Sequence, residues 1–149
     1  MKRDVITSLL FLLGLTAGVA QAAQKPETLA DMKARVNQVP VEERVRICAG
    51  IARRAVEQAK DRYAKGVDEE GKLSLQEAET YADQAAEAAI QTKKHEKQLE
   101  IDLRDISHRI EALKRELAPE DQPDAEAAMG HLEKLRTRLL ASMFGKGKR

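Results

Sequence analysis

Residues Ser74–Leu117 read SLQEAETYADQAAEAAIQTKKHEKQLEIDLRDISHRIEALKREL, and this stretch decides the fold. Positions Leu75, Ala78, Ala82, Ala85, Ala89, Thr92, Glu96, Leu99, Leu103, Ile106, Ile110, Leu113 and Leu117 follow one another in steps of three and four without a break. Only Thr92 and Glu96 among them are polar. Such a heptad seam predicts a continuous helix over about 74–118, roughly 65 Å long at the α-helical rise. Ser74 and Glu77 have the spacing of a capping box at its start. Pro119 and Pro123, which cannot continue a helix, mark its end. A helix of this kind cannot bury its stripe alone, so the rest of the chain is expected to pack along it.

Working outward, Leu29, Met32, Val36 and Val39 predict a short helix over about 28–38, ended by Pro40. Val41, Val45, Cys48, Ala52, Ala55, Ala59 and Tyr63 form the stripe of a second helix. Pro40 and the acids Glu42 and Glu43 suit its start, and Gly66 suits its stop. A polar turn over 66–73 then reverses the chain. Matching the stripes about that turn sets Ala59 beside Ala82, Ala55 beside Ala85, Ala52 beside Ala89 and Cys48 beside Thr92. Small residues facing small residues let two helices approach closely. A last helix over about 124–144 carries Ala125, Ala128 or Met129, Leu132, Leu135, Leu139 and Met143. It folds back so that Ala125 meets Leu117, Leu132 meets Ile110, Leu139 meets Leu103 and Met143 meets Leu99. The short first helix is expected on this Leu/Ile-rich half. The fold class is therefore all-α: a long central helix, about 74–118, with shorter antiparallel helices packed on it as a coiled coil or helical bundle. Thr92 and Glu96, polar on an apolar seam, stand where the two halves meet and suit a register-fixing spot.

The domain organisation has three parts. Residues 1–22 have the form of a cleaved bacterial-type secretory signal peptide: Lys2 and Arg3, an apolar run from Val5 to Val19, then Ala20-Gln21-Ala22 as an A-x-A site. Residues 23–144 form a single helical coiled-coil or bundle domain. Residues 145–149, Gly-Lys-Gly-Lys-Arg, form a disordered basic tail. The expected location is periplasmic or secreted. Processing removes Lys2, Arg3 and Asp4, leaving 24 basic and 24 acidic residues. A neutral chain argues against a protein-wide nucleic-acid role. Cys48 is the single cysteine. In an oxidising compartment it makes no internal disulfide, and its place on an apolar stripe suits a buried, inert thiol.

Candidate chemistry is sparse. Residues 66–77 align with an EF-hand calcium loop, with Asp68 third, Glu70 fifth, Gly71 sixth, Leu73 eighth, Ser74 ninth and Glu77 twelfth. Gly66 stands where that loop has its first acidic ligand, and a polar turn with a capping box explains the same residues. His95, His108 and His131 have no metal-ligand spacing. No nucleophile motif or phosphate-binding glycine loop is present. Catalytic, cofactor-binding and metal-binding residues are each read as none, with no cofactor. Met143 and Phe144, followed by Lys146, Lys148 and Arg149, could touch an anionic membrane.

The chain is accordingly expected to be an exported, non-catalytic helical protein, a structural or protein-interaction module of the bacterial envelope. Its partner would be another envelope protein or itself as a homodimer, not nucleic acid, and the exposed flank of the alanine-rich half is the expected contact surface. Calcium response at 66–77 and membrane-surface association through the tail are the alternatives.

Overall fold

A computed structural model describes residues 26–145. The leader at 1–22 and the four residues after Gly145 lie outside the described residues. The chain forms five helices: α1 (Leu29–Val36), α2 (Val41–Ala64), α3 (Asp68–Thr92), α4 (Glu96–Glu116) and α5 (Gln122–Phe144). The all-helical bundle agrees with the sequence reading, and every apolar residue of the seam from Leu75 to Leu117 is buried. The continuous central helix does not survive. It breaks after Thr92, where Lys93 (φ 57°) and His95 (φ 61°) both take the left-handed conformation. The Thr92 hydroxyl donates to the Ala88 carbonyl at 2.8 Å and accepts from the Lys94 N–H at 3.3 Å, closing the end of α3. A non-glycine residue in this conformation costs about 1–2 kcal/mol. The return is burial: the break lets α4 and α5 fold back alongside α2 and α3.

The two halves become two antiparallel hairpins, α2–α3 and α4–α5. Pairs between them fix their direction. Arg53 reaches Asp102 and Asp105, Glu57 meets Arg109 and Lys60 meets Glu116, so α2 and α4 run parallel. Lys72 meets Asp124 and His131 meets Asp83, so α3 and α5 also run parallel. α2 and α5 are not neighbours. Around the bundle the order is α2, α3, α5, α4, and the link at Lys93–His95 joins diagonal helices.

Several local expectations shift with this. The turn between α2 and α3 is only Lys65–Val67. Gly66 (φ 72°) stops α2 in a Schellman arrangement, its N–H donating to the Tyr63 carbonyl and the Val67 N–H to that of Arg62. α3 begins at Asp68, not Ser74, because Asp68, Glu69 and Glu70 supply negative charge at its N-terminus. Ser74 is buried inside the helix, donating to the Glu70 carbonyl and accepting from Arg62, so it caps nothing. The shorter turn moves the α2–α3 register by about two helical turns: Cys48 Sγ lies 3.9 Å from Gln84 Oε1, where the matched stripes placed it beside Thr92. The α4–α5 register moves less, with Arg136 on Glu100, Ser142 on Glu96 and Lys114 on Glu126. Pro123 lies in the first turn of α5 and helps to start it.

α1, opened by a Thr28–Asp31 capping box, packs on α2 and not on the Leu/Ile half. Met32 is buried against α2 over Gly50, where a Cβ would stand 2.8 Å from the flexible Met32 Cε and ask only for a small shift of that methyl. Arg54 donates to the Glu27 carbonyl, and Lys33 pairs with Glu77 on α3.

Candidate functional site

The polar side chains that reach between helices are paired. Glu100, buried at 7% exposure, accepts from Arg104 on its own helix and from Arg136 on α5 at 2.7–3.1 Å. These guanidinium groups hold its carboxyl below the usual range against the opposing effect of burial. Arg53, Asp105, Arg109 and Glu57 form a second chain of pairs from α2 to α4. Asp105 is likewise held low, chiefly by Arg109. On α3 and α5, His131 Nε2 lies 2.9 Å from Asp83 and Nδ1 lies 4.0 Å from Glu79. Burial pushes the Glu79 carboxyl up, His131 opposes this and Asp83 adds to it. These clusters fix which helix lies beside which.

The residues singled out for chemistry are not brought together. Asp68 to Glu77 is helix, so the calcium-loop alignment has no loop to wrap a cation. Of its would-be ligands, Glu70 pairs with Arg62, Ser74 is held by Arg62 and Glu70, and Glu77 pairs with Lys33. Among the described residues no three His, Cys, Asp or Glu side chains are placed to hold a metal. His95 sits in the α3–α4 link, His108 points outward 3.8 Å from Glu111, and His131 faces α3. Cys48 is fully buried, and burial pushes its thiol up to about 11 against the pull of Arg44. The alanine flank expected as a contact surface is also covered: Ala78, Ala82, Ala85, Ala86, Ala88 and Ala89 are all buried within the single chain.

What the fold does assemble is a bundle with unlike ends. One end holds the α2–α3 and α4–α5 turns. Asp68, Glu116, Glu120 and Asp121 crowd there around a cleft beside Tyr63. Asp121 is pushed up by burial and by its neighbours Asp68, Glu120, Asp124 and Glu69. The Tyr63 hydroxyl is buried without a hydrogen-bond partner among the described residues. Burial and the carboxylates of Asp124, Asp121, Asp68 and Glu69 push it up to about 12.

The opposite end holds the α3–α4 link and the last turn of α5. Lys93, His95, Lys97, Ile101 and Met143 line a shallow depression there. Ile101, in that lining, is 45% exposed; Leu140 (39%) and Phe144 (75%) are exposed on the last two turns of α5, and Lys93, Lys94 and Lys97 are exposed on the link and the start of α4. Glu96 is tied to Lys93 and Ser142, which clamps the end of α5 onto the link. The Thr92–Glu96 spot is thus the hinge of the fold, and Lys93 and Lys97 line the depression beside Ile101 and Met143. Composition missed this because Ile101 and Phe144 are far apart in sequence. The available signal was Gln91–Gln98, eight consecutive polar residues that no buried helix face tolerates easily.

No protein-family model, curated protein or solved structure matches this chain.

Proposed function

We propose that the protein is an exported, non-catalytic helical module that docks through its basic, apolar end. The observation that carries the reading is that Phe144, Leu140 and Ile101 are exposed at the same end of the bundle as exposed Lys93, Lys94 and Lys97. Apolar groups rimmed by charge mark surfaces that meet a partner. The non-catalytic part rests on the use made of polar side chains: those between helices join helix to helix. Export rests on the form of residues 1–22 alone. Among the described residues no helix is long and apolar enough to cross a membrane.

Two measurements test this. Intact mass of the protein recovered from cells should give a chain starting at Ala23; a chain retaining Met1 would remove the export reading. A photo-crosslinking residue at Ile101 should give defined products in cells, whereas one at Leu73, exposed toward the acidic end, should not. Equal patterns from both positions would remove the docking reading.

A further inference from the structure

Resting on that reading, we infer that the occupant of the basic end is the surface of an anionic lipid bilayer, on which the bundle stands upright with its acidic end pointing away. Three observations carry this. First, three of the exposed large apolar side chains, Ile101, Leu140 and Phe144, come from the start of α4 and the end of α5, with Phe144 the most exposed, against Val67 and Leu73 at the other end. Side chains so placed suit shallow insertion among headgroups. Second, they stand among cations. Lys94 and Lys97 make no ion pair among the described residues, and the sequence adds Lys146, Lys148 and Arg149 directly after Gly145. Glu42 and Glu43 start α2 at the same end, on the side of α4 away from α5, and temper the positive charge there. Third, Asp68, Glu69, Glu120 and Asp121 gather at the other end, the length of α3 away, about 37 Å for its 25 residues. An anionic surface attracts one end and repels the other, so the charge layout selects an orientation as well as a surface.

The test uses the whole purified protein with vesicles of phosphatidylglycerol mixed into phosphatidylcholine, and with phosphatidylcholine alone. Co-sedimentation should occur with the anionic vesicles only and weaken as salt rises. The variant K93Q/K94Q/K97Q should partition about a hundredfold less, at roughly fivefold per cation near the surface. Because Lys93 also pairs with Glu96 and Ser142, circular dichroism checks that the fold survives, and K94Q/K97Q, at two exposed lysines with no ion pair among the described residues, should by itself partition about twenty-five-fold less. The chain has no tryptophan, so single substitutions report where it touches lipid. F144W fluorescence should shift to the blue on anionic vesicles, and L73W fluorescence should not. Equal binding to neutral vesicles, binding undiminished in the triple variant as for insertion through residues 1–22, or a blue shift from L73W would each overturn the proposal. Absence of vesicle binding together with an Ile101 crosslink to an acidic protein would overturn the lipid occupant and leave the docking reading intact. Absence of both would remove both.

Discussion

Gly71 and Gly130 show how much one hydrogen depends on its surroundings. A Cβ on Gly71 would stand 2.7 Å from the Tyr63 ring, whereas one on Gly130 meets nothing within 4 Å. Gly71→Ala is therefore expected to destabilise by about 1–3 kcal/mol through overpacking. Gly130→Ala, in an exposed helix position, should stabilise by up to about 1 kcal/mol. Urea denaturation of the two variants checks the opposite signs. Glu100 makes the second argument at this scale. Its carboxyl is held below the ordinary 4.5 by Arg104 and Arg136. A depressed folded-state value means the unfolded chain takes up a proton first. The stabilisation is then complete above the ordinary carboxylate range and is lost as pH falls below about 4.5. Glu100→Gln should lose about 1–3 kcal/mol at neutral pH by weakening the hold on Arg136. Its stability should also fall less steeply between neutral and acidic pH than that of the parent, which parallel melts at a series of pH values would show. A parent curve no steeper than the variant's would contradict this account.

At the scale of elements, the decisive feature is the three-residue link between α3 and α4. Lys93 and His95 take left-handed angles that glycine adopts without strain. His95 is exposed and forms no pair among the described residues, so His95→Gly removes strain at little other cost. After subtracting the flexibility that glycine adds to the unfolded chain, a gain of up to about 1 kcal/mol is expected. A higher melting temperature would confirm the left-handed link; a loss of 1 kcal/mol or more would indicate a helical residue and a continuous α3–α4. The same link explains why a perfect three-four spacing misleads. Leu75 to Ala89 and Leu99 to Leu117 each present a stripe, but the stripes serve separate helices facing one core. A heptad count is preserved when a helix breaks between stripes, so spacing alone does not detect the break.

At the scale of the whole molecule, folding back covers what an extended helix would leave bare. Ala86 and Ala88 lie off the seam and would flank a two-stranded coiled coil, but they are 0% and 5% exposed here. Ala86→Leu should then cost about 1–3 kcal/mol, since extra methylenes have no free space in a packed core. Denaturant titration would detect it, and a neutral result would mean that α3 is open on that side. The alanines let helices crowd around α3, while Leu99, Leu103, Ile106, Leu132, Leu135 and Leu139 fill the interior between α4 and α5. The ion pairs then fix the neighbours: Arg136 and Glu100 join α5 to α4, His131 and Asp83 join α5 to α3, and Arg53 and Asp105 join α2 to α4.

The sequence by itself determined the helical class, the buried faces and the outer ends of most helices, but it joined α3 and α4 into one. Helix faces follow from spacing, and ends follow from residues such as Gly66, Pro40 and Pro119 that act over one turn. Only the tertiary structure decided the break at Lys93–His95, the diagonal link, the seat of α1 on α2 and the covering of the alanines. Each of these depends on contacts between residues distant in sequence, Met32 on α2, Arg136 on Glu100 and α5 on α3, whose burial outweighs a local cost that sequence spacing does not register. The basic, apolar end belongs with them. Lys93, Ile101 and Met143 are far apart in the chain, and they line one depression because the fold sets the α3–α4 link and the end of α5 side by side.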